Sequence, residues 1–155
     1  MFQHQDQRGF TGALSSAGLA IGSTASQVAI AAPNGAGVDF AIGGLAYHKA
    51  DAASVAITAA TAQAADTTCL YLVCLDSGGT LSTVKGDDVL NTALDAGTTV
   101  LHWPAQPANL CAIGAIKVKT VAVTFTAGTT NLSAAGVTDT YYNFAAGMPI
   151  APLAS

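Results

Sequence analysis

Glutamate is missing altogether: the nine acidic residues are all Asp, and they face five Lys+Arg for a net charge of −4. Charged residues make up only 9% of the chain and aromatic ones 6%. One Arg and four Lys lack the charge to neutralise a run of phosphates, which argues against general nucleic-acid binding. No apolar run approaches the roughly 20 residues of a membrane-spanning helix; Ser, Thr, Gly or Asp interrupts every candidate. Met1–Phe10 lacks the basic start and apolar continuation of a signal peptide, so synthesis and folding in a cytoplasm are expected. The three cysteines, Cys69, Cys74 and Cys111, are odd in number and show no paired framework.

What the chain has is small residues: 33 Ala, 18 Thr and 16 Gly among 155. With 51% hydrophobic residues and little charge it is not of disordered type, and its length suits one domain with a real core. Gly12–Thr24 is Ala/Gly/Ser-rich and reads as part of an extended N-terminal arm, residues 1–24, ahead of a β domain over 25–155. This arm, Met1 to about Thr24 with its polar start Met1–Arg8, is expected to reach out of the domain and dock on a neighbouring chain. Strand-like segments follow: Gln27–Ala31, then Val38–Ile42 and Leu45–Lys49 around Gly43-Gly44, then Ser54–Thr58. Thr67–Asp76 is apolar nearly throughout, as a strand buried on both faces should be, and Ser77-Gly78-Gly79 turns it into Thr80–Lys85. Gly86–Thr99 has helical spacing, with Asp87 and Asp88 at its start and Gly97 at its end. Thr99–Trp103, Leu110–Val123, Thr124–Thr126 and Thr138–Phe144 complete the strands, and Ala59–Ala65 reads as loop. About nine or ten short strands, with turn signals about every 8–12 residues, predict an all-β fold, an antiparallel β-sandwich or barrel with little helix.

The chemistry-bearing residues form no recognisable constellation. His4, His48 and His102 lack His-x-His or Cys-x-x-Cys partners, so no metal and no cofactor is expected. Cys69 and Cys74, five apart in one strand, fall on opposite faces and read with Cys111 as small buried hydrophobes. Asp87-Asp88 is the only adjacent acidic pair, and Asp66, Asp76 and Asp139 sit at turns or strand edges. No catalytic residue is selected, and a non-enzymatic role is expected. Trp103 with Tyr141 and Tyr142 offers a stacking platform for a glycan, weighed against Trp103 as an anchor in a core or interface.

The C-terminal half carries a pattern. Ala112-Ile113-Gly114-Ala115-Ile116-Lys117-Val118-Lys119 is followed by Phe125-Thr126-Ala127-Gly128-Thr129-Thr130-Asn131-Leu132, and then by Ser133-Ala134-Ala135-Gly136-Val137-Thr138-Asp139-Thr140-Tyr141. This resembles small structural proteins of tailed-bacteriophage virions, with looser likeness at Tyr47, Val55–Ala65 and Cys69–Asp76. Asp87–Thr99 and the N-terminal stretch depart from the pattern. The resemblance implies a head decoration (cement) protein on the capsid surface, binding the major capsid protein and itself, as a homotrimer. A head-fibre or tail-associated protein contacting a host glycan is the alternative.

Overall fold

The computed structural model describes residues 9–153. Met1–Arg8, the start of the arm expected to dock on a neighbouring chain, lie outside the described residues. The fold is nearly all β, 42% strand and 3% helix, in three antiparallel sheets with no closed barrel. It is the expected sandwich.

The first sheet orders β1 (Gly12–Ala13), β4 (Val38–Ile42) and β5 (Leu45–Lys49). The second orders β2 (Leu19–Ile21), β3 (Gln27–Ile30) and β6 (Ala52–Ala56). The central sheet runs β11 (Val137–Asn143), β10 (Cys111–Thr120), β7 (Thr67–Leu75), β8 (Leu81–Lys85), with β9 (Val89–Leu90) also paired to β7. Two tight turns fix the registers of hairpins, one in the first sheet and one in the central sheet. Gly43 and Gly44, at φ 59° and 82°, make the two-residue turn between β4 and β5; positive φ at both positions suits glycine. Between β7 and β8, the Asp76 carboxylate accepts the backbone N–H groups of Thr80 and Gly78, each at 2.8 Å, and these bonds lower its pKa.

Every residue of β7 is buried, because the central sheet is covered on both sides. Cys69, Tyr71, Val73 and Leu75 face the main core, against Val28, Ile30, Val38 and Phe40 of the two small sheets. Leu72 and Cys74 face the other way, toward Ala112, Ala115, Phe144 and Trp103. Leu70 on that side meets Leu94, Leu101 and Leu153. The second cover is therefore not a sheet. It is built from the short helix, the loop through Trp103 and the C-terminal segment.

Three expectations need correcting. Residues 9–24 do not form an arm: Gly12 and Ala13 pair with Ala41 and Phe40, Leu19–Ile21 pair with β3, and Ala13 and Ala17 are fully buried. Small residues permit these close approaches; a Cβ on Gly18 would lie 2.0 Å from the Ala31 carbonyl oxygen. The helix has the one or two turns expected within Gly86–Thr99 but does not start at Asp87-Asp88: it is α1 (Asn91–Asp95), with no acidic residue in its first turn. Asp88 instead pairs with Lys85 and accepts the Ala64 N–H, while Val89 and Leu90 extend β7's pairing. Thr99–Trp103 and Thr124–Thr126 supply only isolated bridges, Leu101 to Leu153 and Phe125 to Gln63. Ala59–Ala65 is loop, as expected, with a single bridge at Gln63.

Candidate functional site

The histidines do not converge. His48 is exposed on β5 and its Nδ1 lies 2.7 Å from the Asp39 carboxylate, its cross-strand partner on β4. His102 lies elsewhere, beside Trp103, and His4 is outside the described residues. Among the described residues no three metal-ligating side chains cluster.

The cysteines sit where strand alternation puts them. Cys69 and Cys111 line the main core and Cys74 the opposite face, each fully buried and unbridged. Burial pushes the thiols of Cys69 and Cys74 up to about 12 and that of Cys111 to about 11. They stay protonated at neutral pH and behave as packing residues.

Two of the lysines line a further cleft. Lys117 and Lys119 project from the same face of β10, beside Thr68, Asn91, Leu94, Asp95 and Leu101, around a cleft of about 210 Å³. The Lys119 ammonium is 4.0 Å from the Asp95 carboxylate at the surface, a pairing of little energetic weight.

Buried polar groups at this end of the central sheet, of which only Thr68 and Asn91 line the cleft, were not foreseen from the sequence. Gln63, fully buried, donates from Nε2 to the carbonyls of Val118 (3.0 Å) and Thr67 (3.1 Å) and accepts from the Tyr71 hydroxyl (3.2 Å). Thr68 donates to Asn91 Oδ1 at 2.7 Å, and Asn91 Nδ2 donates to the Thr120 carbonyl at 2.8 Å. The Thr120 hydroxyl lies 2.9 Å from the Ala64 carbonyl and accepts the Thr67 N–H at 3.2 Å. These groups are spent on one another, so the cluster fastens the 57–66 loop and α1 to the central sheet. Nothing in the alanine-rich surroundings of Gln63 signals this. A lone Gln among apolar residues was the available hint.

The aromatic platform forms only in part. Trp103 meets Tyr142 and Phe144 edge to face, with ring centres 5.9 and 5.5 Å apart, and its indole N–H donates to the Ala151 carbonyl at 2.8 Å. Pro149, Pro152 and Leu153 complete an open cleft of about 330 Å³. Tyr141 is not part of it. It packs on the main core from the other face of β11, with its hydroxyl on the Asp139 carboxylate, and burial followed by that bond raises its pKa. The proline wall comes from the chain's last stretch, which no local pattern linked to Trp103.

Compared with protein-family models, curated proteins and solved structures, the chain has no significant match in any of the three.

Proposed function

We propose that this chain is a structural protein of a phage particle, a decoration protein that binds the outer surface of the head and stabilises it. The observation that carries the reading is the resemblance in residues 112–141. In the structure that stretch is one unit: β10, a loop, and the start of β11, its partner along Gly114–Thr120. The loop is plugged into the core by Phe125, Ala127 and Leu132, all fully buried. The surface adds support. Leu14, Leu45, Leu90, Val121 and Ile150 are each more than half exposed on a chain with few charges, which suits contact with other subunits. In this reading the partners are the major capsid protein and further copies of the chain as a trimer, and the protein carries no catalytic site.

Cryo-electron microscopy of intact particles tests the proposal. Density for this fold as trimers on the capsid exterior is expected; density confined to a tail or fibre, or isolated monomers, would overturn it. The half-open cleft walled by Trp103, Tyr142 and Pro149 favours a second reading, a fibre or tail module that stacks a sugar ring on an aromatic face. Binding on a glycan array that is lost in Trp103→Ala would support this alternative.

A further inference from the structure

We propose that Asn34 is a site of spontaneous covalent modification, converting from amide to aspartate and isoaspartate in the folded protein. Asn34-Gly35 is the only Asn-Gly step in the sequence; Thr, Leu, Leu and Phe follow the other four asparagines. Those side chains crowd the backbone nitrogen that must attack, whereas Gly35 presents none. A Cβ built there would meet nothing within 4 Å, so the peptide is open to solvent and free to turn.

The local geometry brings the reacting groups together. Asn34 and Gly35 are both exposed in the turn between β3 and β4. Asn34 Oδ1 accepts the Ala36 N–H at 3.0 Å, which wraps the side-chain amide around the Gly35 peptide. The same bond draws electron density from Cγ, the atom to be attacked. Gly35 has φ 68°, a conformation it adopts without strain, so the turn can rearrange at little cost. One restraint opposes the reaction: the Gly35 N–H donates to the Ala32 carbonyl at 2.8 Å and must release it first. Its acceptor residue Ala32 is buried, but the Gly35 donor sits in the exposed part of the turn, where local opening is frequent.

The chemistry needs only solvent. The Gly35 backbone nitrogen loses its proton to hydroxide and bonds to Asn34 Cγ. The Cγ–Nδ2 bond breaks, and the amide nitrogen leaves as ammonia with protons taken from water. Water then opens the resulting succinimide at either carbonyl, giving an aspartate or an isoaspartate with its backbone rerouted through the side chain. Each event adds one negative charge to a chain that begins at −4.

The test keeps the folded full-length chain in mildly alkaline buffer at body temperature and maps amide loss by peptide mass spectrometry. Isoaspartate is scored by isoaspartyl methyltransferase labelling. Conversion concentrated at Asn34, faster at higher pH and lost in both Asn34→Gln and Gly35→Ala, is expected. Circular dichroism checks that each variant retains the β fold, and Asn34→Gln serves alone if Gly35→Ala does not fold. Conversion equal to or greater at Asn109 or Asn131 would overturn the proposal. So would an Asn34 that converts in the urea-unfolded chain but not in the folded one.

Discussion

Gly114 occupies a point where two layers and two strands meet. A Cβ there would lie 2.3 Å from the Tyr142 carbonyl oxygen and 2.5 Å from Leu19 Cδ1. The leucine can rotate, but the carbonyl belongs to β11 and cannot retreat without breaking the ladder. The pairing of β10 with β7 also slips between Ala112 and Gly114, so this is a bulge where backbone comes close. Gly114→Ala should therefore destabilise the fold by about 2–3 kcal/mol, read from urea denaturation. The thiols make a second residue-scale prediction. Their folded pKa values of about 11 to 12 stand above the ordinary 9.0, so the unfolded chain loses these protons first. The thiols' contribution to stability is thus intact below about pH 9 and is lost progressively as pH rises from 9 toward 12. Denaturation midpoints across that range, compared with a variant carrying Ala at all three cysteines, should show a shallower decline in the variant.

At the scale of elements, the polar cluster is what holds the helix and the 57–66 loop in place. Gln63→Ala removes the Nε2 donor shared by the carbonyls of Thr67 and Val118 and the acceptor of the Tyr71 hydroxyl, and opens a void in the core; the Thr67 carbonyl keeps the Thr120 hydroxyl. A loss of about 3 kcal/mol is expected, with hydrogen exchange quickening in the 57–66 loop before β7 or β10 is affected. These elements also divide by how readable they were. The β4–β5 and β7–β8 hairpins follow from glycine turns and local alternation, so their positions could be read directly. The run Thr67–Asp76 announced a strand covered on both faces. What covers its second face could not be read, because Trp103, Phe144 and Leu153 reach it from distant stretches without period or motif. Nor could β1 and β2. Their Ala/Gly/Ser composition is shared by loops, and only the fit of small residues beneath neighbouring backbone makes them part of the domain. The stacking platform was half legible: Trp103 and Tyr142 meet, but alternation along β11 necessarily sends Tyr141 to the opposite side.

For the whole molecule, the consequence lies in how unequal its two covers are. The main core is closed by sheets, whereas the other face of the central sheet is closed by irregular chain held through a few anchors. Trp103 is the only tryptophan in the sequence and is one of those anchors. Its ring is tied to Ala151 and packs on Phe144, so its emission reports on that cover and hardly at all on the main core. Far-ultraviolet circular dichroism reports on the strands. On heating, the tryptophan emission should shift to the red at a lower temperature than the loss of β signal, giving two midpoints where a single cooperative unit would give one. The protein thus contains its own optical gauge of how far the second face has peeled, readable without any label.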